Sequence, residues 1–198
     1  MIIIKLIERP QYLNFLLRNK DLPLIKVITG VRGSGKSTLF TLYKDYLTTH
    51  GVPVERIISI NFEDLAFEDL QEYHALYRYI TERLSPKGKN YIFLDEIQNV
   101  PQFEKVINSL FIKDNIDLYI TGSNVHFLTD DLATLLDGRY VKMQMRPLSF
   151  QEFLSGLSAP MPIKAAYEAY TLVCCLNTTP KWSSLGREYK TKIYRELQ

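Results

Sequence analysis

The stretch Gly30-Val-Arg-Gly-Ser-Gly-Lys-Ser37 decides the fold of this 198-residue chain. Two glycines five residues apart, followed by a lysine and a serine, form the pattern of a loop that wraps around phosphate groups. A short apolar run, Leu24 to Ile28, precedes the loop, and residues 35–48 follow it without proline and with apolar residues at helical spacing. A strand, a glycine loop and a helix in this order are what phosphate binding requires. We therefore predict an α/β fold built around this loop.

The chemistry of the loop assigns roles to its residues. Glycines let the backbone curl so that successive N–H groups point inward, and the amino end of the helix adds partial positive charge. Lys36 is expected to contact the β- and γ-phosphates of a nucleotide, and Ser37 to ligate Mg²⁺. Arg32 is either solvent-facing or phosphate-steering, and Thr38 either assists through its hydroxyl or lies on the helix surface. The predicted nucleotide-binding residues are Gly30, Val31, Arg32, Gly33, Ser34, Gly35, Lys36, Ser37 and Thr38.

Strands and helices alternate along the rest of the chain. Apolar runs predict further strands at residues 54–62, 91–94, 117–121 and 139–145. Helices are predicted at residues 67–84, 103–111, 128–136 and 163–173. His74 falls on the apolar face of the first of these and is expected to be a packing residue, and Ser149 with Glu152 marks the capped start of a further short helix. This alternation predicts a mostly parallel sheet with right-handed connections.

A pair of carboxylates follows the predicted strand Tyr91-Ile-Phe-Leu94. Asp95 and Glu96 would lie at the edge where open α/β sheets bind ligands. The segment resembles the Walker B motif, in which Asp95 would hold the hydration shell of magnesium and Glu96 would polarise the attacking water. The alternative interpretation, an exposed acidic pair at the start of a turn, is disfavoured by the glycine loop.

Two weaker signals complete the candidate site. Ser123 and Asn124 follow the next strand, where they sense the γ-phosphate, orient water, or form a polar turn in which Asn124 caps a helix. Arg139 is either an arginine finger or an ordinary strand-edge arginine. The candidate catalytic residues are Glu96, Lys36, Ser123, Asn124 and Arg139, and the candidate metal ligands are Ser37 and Asp95.

Composition narrows the class of protein. With 46% hydrophobic and 23% charged residues, the chain is expected to be a soluble globular protein. A net charge of +2 is too small to indicate a nucleic-acid or membrane partner by itself. No apolar run approaches the roughly 18 residues of a membrane span, so a cytoplasmic location without a membrane partner is expected. The adjacent Cys174 and Cys175 fit neither a disulfide framework nor a zinc site.

Several ordered motifs resemble a known family. They are Gly30 to Thr38, Asn61 to Asp64, Phe93 to Pro101, Ile120 to Asn124, Leu135 to Arg139 and Arg146 to Phe153. Through them the chain is similar to the AAA-type ATP-binding proteins of bacteria and archaea. The resemblance implies a three-layer P-loop fold of the RecA/AAA type, with a five-stranded sheet in the order 5-1-4-3-2. It also implies ATP and Mg²⁺ as cofactors and a homo-oligomer as a possible state.

The same resemblance suggests a division of the chain. Residues 1–155 would form the ATPase domain, and residues 156–198 a linker and a short carboxyl-terminal segment. Members of the family usually continue into a larger second domain, so this segment is either a truncated or altered second domain or a genuine short form.

Four functions are compatible with these features. The leading hypothesis is slow ATP hydrolysis coupled to a conformational change, with an unidentified protein or DNA partner. A nucleotide-dependent switch or scaffold with little turnover is the first alternative, although it has no need of Glu96. A small-molecule kinase is disfavoured by the acidic pair and by the lack of an evident arginine-rich lid. DNA-associated remodelling rests on family analogy alone.

Overall fold

A computed structural model describes Ile7 and residues 9–123, 138–157 and 160–171. The chain forms two compact units. The larger unit contains Pro10–Val31 and Gly35–Met145. Among the described residues, the smaller unit contains Ile7, Arg9, Arg32–Ser34 and those from Arg146 onward. The helix predicted at residues 128–136 lies outside the described part of the chain.

A five-stranded sheet lies at the centre of the larger unit. Its strands are β1 (Ile25–Thr29), β2 (Ile57–Asn61), β3 (Asn90–Asp95), β4 (Ile116–Gly122) and β5 (Tyr140–Gln144). They lie in the order β2-β3-β4-β1-β5, and each described pair is parallel. This is the order 5-1-4-3-2 seen from the other edge. The predicted α/β fold class is therefore confirmed.

Helices cover both faces of this sheet. They are α1 (Pro10–Arg18), α2 (Lys36–Thr49), α3 (Tyr73–Arg83) and α4 (Phe103–Phe111). Successive side chains of a strand point to opposite faces. Ile92 and Leu94 of β3 accordingly pack in one cluster with α3 and α4, whereas Tyr91 and Phe93 pack in a second cluster with α1 and α2. Burial on both faces explains why β3 is a continuous apolar run.

The second strand is shorter than the sequence predicts. Val54–Arg56 forms a single 3₁₀ turn, and the strand begins only at Ile57. The backbone N–H of Arg56 donates to the carbonyl of Pro53 at 3.0 Å, which turns the chain before it can extend. The predicted start of this strand at Val54, a β-branched residue, is therefore wrong by three residues.

The predicted helix over residues 67–84 is divided in two. Leu65–Gln71 is 3₁₀ in character, and Glu72 is extended before α3 begins. The Glu72 carboxylate accepts hydrogen bonds from the N–H groups of His74 and Ala75 at 2.9 and 2.8 Å, so it caps α3. His74 consequently lies in the first turn of α3 and is exposed, and its interpretation as a packing residue is wrong.

The smaller unit contains two short helices, α5 (Phe150–Ser155) and α6 (Ile163–Tyr170). The predicted capping box at the start of α5 is confirmed, because Ser149 Oγ accepts from the Glu152 N–H while the Glu152 carboxylate accepts from the Ser149 N–H. Phe153 of α5 and Ala169 of α6 are buried in one small apolar cluster. No helix among the described residues of either unit has the length and apolar character needed to cross a bilayer.

Candidate active site

The carboxyl ends of the parallel strands meet at one edge of the sheet. Thr29 at the end of β1 is paired with Gly122 of β4, and Asp95 at the end of β3 is paired with Asn61 of β2. This is the edge at which open α/β sheets bind ligands. The structure places Asp95, Glu96 and Ser123 together here, as the sequence predicts.

The glycine loop connects β1 to α2 at the same edge. Gly33 and Gly35 have φ angles of 80° and 95°, in the left-handed region that a side chain would strain. Gly35 directly precedes α2, whose first residue is Lys36. Ser37 and Thr38 in the first turn of α2 are exposed. The hydroxyl groups beside the loop are therefore accessible to a ligand.

Lys36 is buried, and its ammonium has three neighbours. Nζ donates to the carbonyl oxygens of Gly30 at 2.9 Å and Val31 at 3.4 Å, and it lies 3.1 Å from Oε1 of Glu96. The side chains of this ion pair are 3% and 7% exposed, so solvent screens the pair weakly. The contact connects the loop with the acidic end of β3.

Glu96 is held at its second oxygen as well. Oε2 accepts from Gln98 Nε2 at 2.6 Å and from the backbone N–H of Ser123 at 3.1 Å. Burial alone would raise the pKa of Glu96, but the hydrogen bonds from Gln98 and Ser123 and the charge of Lys36 outweigh it, and the pKa lies below its ordinary value. Glu96 is therefore an ionised carboxylate near neutral pH.

Thr121 positions both acidic residues. Its hydroxyl donates to the Asp95 carboxylate and accepts from the backbone N–H of Glu96 at 2.9 Å. Thr121 is fully buried in β4, next to β3. Sequence reasoning assigned it no role. A hydroxyl residue at the carboxyl end of a buried strand, two positions before Ser123, is the signal that could have identified it.

Gln98 is a second residue that sequence reasoning missed. Besides its bond to Glu96, its Nε2 lies 3.4 Å from the Ser123 hydroxyl. Within the described part of the chain, Oε1 of Gln98 is buried without a hydrogen-bond partner. Buried polar atoms in folded proteins usually have a hydrogen-bond partner, so this oxygen could accept a hydrogen bond from a ligand or a water.

The remaining candidates have different placements. Asn124 lies outside the described residues, so its role stays a prediction. Arg139 is exposed, its carbonyl accepts from the N–H of Ile25 at 2.8 Å, and its guanidinium lies 5.9 Å from the ring centroid of Phe111. Ile25 opens β1, whereas the loop follows the last residue of that strand. Five residues of strand, roughly 16 Å, thus separate Arg139 from the candidate site in the same chain.

The parallel sheet order and the glycine loop between β1 and α2 are those of a P-loop α/β domain. The chain belongs to the AAA domain family, whose model matches residues 23–154.

Individual proteins are similar to this chain in sequence or in fold. The chain is 44% identical over 150 residues to an uncharacterized protein of Haemophilus influenzae, an alignment that covers 75% of this chain but only 38% of that relative. Two solved structures share the fold. The Walker-type ATPase of Pyrococcus abyssi has a TM-score of 0.60 at 16% identity, with 84% of this chain and 63% of that chain covered. The Orc1 protein of Aeropyrum pernix, solved in complex with DNA, has a TM-score of 0.56 at 15% identity, with 83% and 50% covered.

Proposed function

We propose that this chain binds ATP together with Mg²⁺ and hydrolyses it slowly, and that hydrolysis drives a conformational change. The observation that carries the proposal is the buried contact of 3.1 Å between Lys36 and Glu96. It brings a cation suited to phosphate and a carboxylate suited to water activation to one place. Family membership supports the nucleotide, and the geometry of these two residues supports the reaction.

Nucleotide binding would use the loop and the start of α2. The backbone N–H groups of the loop and the amino end of the helix favour an anionic phosphate chain. Lys36 would meet the β- and γ-phosphates. The exposed Ser37 hydroxyl and the Asp95 carboxylate are hard oxygen donors of the kind Mg²⁺ prefers, and one or two such protein ligands suffice beside phosphates and waters. The bound ion would neutralise charge that develops on the phosphates.

Hydrolysis would depend on releasing Glu96 from Lys36. When the ammonium turns to the phosphates, Oε1 of Glu96 loses its partner and can orient a water. Attack by that water forms a new oxygen bond to the γ-phosphorus, the bond to the β–γ bridging oxygen breaks, and Glu96 accepts the proton. The hydrogen bonds from Gln98 and Ser123 lower the pKa of Glu96 without Lys36, and they favour the deprotonated carboxylate in this step. Gln98 and Ser123 would hold Oε2 meanwhile.

A nucleotide-dependent switch with little turnover is the second candidate. It is favoured by one observation, namely that both oxygens of Glu96 have partners within the chain. A carboxylate that kept these partners after ATP binding would not reach a water. A DNA partner, assembly into a homo-oligomer and a cytoplasmic location are further proposals. For the DNA partner, a fold shared at 15% identity with a protein solved in complex with DNA does not show that this chain binds DNA.

Titration calorimetry with Mg-ATP tests nucleotide binding. Lys36→Ala removes a cation that makes charge-assisted hydrogen bonds to phosphate, so affinity should fall roughly tenfold to a hundredfold. Lys87→Ala removes an exposed lysine and serves as the matched control. Equal affinity of the two variants would contradict the proposed site.

A further inference from the structure

One arginine outside the predicted site bonds directly to the glycine loop. Arg9, only 9% exposed at its side chain, donates from Nη1 to the carbonyl of Ser34 at 3.0 Å. The same Nη1 donates to the carbonyl of Arg146 at 2.8 Å, and Nε donates to Oε1 of Glu152 at 2.9 Å. All four residues belong to the smaller unit. A single guanidinium thus connects the loop with the segment that follows β5.

The bond to Ser34 constrains a group that phosphate binding needs. The Ser34 carbonyl shares a peptide unit with the N–H of Gly35. Because a trans peptide is planar, its carbonyl and its N–H point in opposite directions. Holding the carbonyl on Arg9 therefore aims the Gly35 N–H to the other side, and this N–H belongs to the set that curls around phosphate in such a loop.

Arg9 is itself held in place by its acidic partner. Oε1 of Glu152 accepts from Arg9, while Oε2 accepts from the backbone N–H of Ser149 at 2.7 Å and caps α5. Burial alone would raise the pKa of Glu152, but the bonds from Ser149 and Arg9 outweigh it and the pKa is lowered. The Glu152 carboxylate is ionised at neutral pH, and each of its two oxygens accepts a hydrogen bond. A planar guanidinium can satisfy this carboxylate and two carbonyls together, which a lysine ammonium matches poorly.

We propose that Arg9 is a positioning residue for the nucleotide: it holds the Ser34 peptide in its phosphate-binding orientation and ties that orientation to the capped start of α5. The inference deepens the proposed function and rests on it. Arg9 need not touch the nucleotide. Its effect should therefore appear in affinity and KM more than in kcat, since the carboxylate at Glu96 is left unchanged.

The test compares nucleotide affinity, kcat, KM and the melting temperature across several variants of the full chain. Mg-ADP is titrated into the parent, Arg9→Ala, Arg9→Lys and Glu152→Gln, and ATP turnover is measured on each. Arg83→Ala is the control, since Arg83 is an exposed arginine that contacts its own helix. Arg9→Ala should weaken Mg-ADP binding and raise KM by about tenfold or more, with a smaller change in kcat.

The conservative variants separate positioning from folding. Arg9→Lys keeps the positive charge but loses the planar set of guanidinium N–H donors. Its affinity for Mg-ADP should therefore remain close to that of Arg9→Ala. Glu152→Gln keeps both carbonyl contacts of Arg9 and should weaken binding by an intermediate factor, with a melting temperature near that of the control. If the parent binds Mg-ADP and both Glu152→Gln and Arg9→Lys bind as tightly as Arg83→Ala, the positioning role is overturned, even where Arg9→Ala fails to fold. A parent that binds no nucleotide would instead overturn the proposed function, and this inference with it.

Discussion

Glu96 has a left-handed backbone, with φ 55° and ψ 46°, at the point where the chain leaves β3. Such a conformation costs a non-glycine residue roughly 1–3 kcal/mol and persists only where surrounding contacts enforce it. Here the enforcing contacts are those of the carboxylate with Lys36 and Gln98 and of the backbone N–H with Thr121. This backbone strain supports the hypothesis that the direction of the Glu96 side chain is needed for function.

The first prediction concerns the charge of this side chain. Glu96→Gln keeps the shape but cannot accept a proton, so ATP should still bind while turnover falls by about a hundredfold or more. Phosphate release measures turnover, and calorimetry measures binding. Glu82→Gln, at an exposed glutamate, is the control. A Glu96→Gln variant that hydrolyses ATP at the parent rate would exclude Glu96 as the water-activating group.

The second prediction concerns pH. The hydrogen bond from Gln98 lowers the pKa of Glu96, so Gln98→Ala should raise that pKa. If Glu96 activates the water as proposed, activity requires the ionised carboxylate and is lost as pH falls through its pKa. The acid limb of the kcat profile should therefore move to higher pH in Gln98→Ala. An unmoved limb, matching that of the exposed control Gln144→Ala, would show that Gln98 does not tune Glu96.

At the scale of elements, β1 and β4 are joined by a buried ion pair far from the site. Lys26 and Asp117 are both fully buried at their side chains and bonded to each other. Oδ2 of Asp117 also accepts from the hydroxyl of Tyr119 and the N–H of Asp21, each at 2.8 Å. Burial lowers the pKa of Lys26, and the charge of Asp117 opposes that shift. The pair lies toward the amino ends of β1 and β4, so it does not occupy the opposite edge of the sheet, where the candidate site lies.

The third prediction tests this ion pair. Asp117→Asn leaves a buried lysine without its counter-charge, which should lower the free energy of unfolding by about 3–5 kcal/mol. The exposed Asp114→Asn should change it by less than roughly 0.5 kcal/mol. Urea unfolding measures both. Equal stability of the two variants would mean that Lys26 finds another partner or is neutral in the folded chain.

At the scale of the whole molecule, the position of Arg139 bears on whether the chain acts as a homo-oligomer. It precedes β5 at the level of Ile25, at the opposite end of β1 from the glycine loop. The length of β1 alone keeps its guanidinium from the candidate site of its own chain. Only a second copy of the chain could bring it to that site. A finger role for Arg139 therefore requires a homo-oligomer.

The fourth prediction follows from that geometry. Arg139→Ala should reduce turnover with little change in ATP affinity, by up to about 10³-fold if the arginine contacts the γ-phosphate. Mixing Arg139→Ala with Lys36→Ala should partly restore activity, because one chain then supplies the arginine and the other the intact loop. Full activity of Arg139→Ala would reject the finger. Loss without restoration, with a native circular dichroism spectrum, would reject the role between chains.

The sequence by itself determined the features that are encoded over a few neighbouring residues. Three such features are the loop from Gly30 to Ser37, the acidic end of β3 and the capping box at Ser149 and Glu152, each a pattern of residues close together in the sequence. Apolar runs located the strands approximately because burial on both faces leaves few polar positions, such as the paired Lys26 of β1 and Asp117 of β4. Strand order came from the family resemblance, since no local pattern states which strands are neighbours.

Only the tertiary structure decided which residues that are distant in the sequence bond to one another. The bonds of Arg9 with Glu152 and of Lys26 with Asp117 join positions 143 and 91 residues apart. Thr121 reaches Asp95 across 26 residues because β3 and β4 are adjacent. Local periodicity carries no information about such pairings, and it likewise misplaced His74, whose exposure depends on where Glu72 starts the helix. Partners of a functional group are set by sheet order and packing, which are properties of the folded chain.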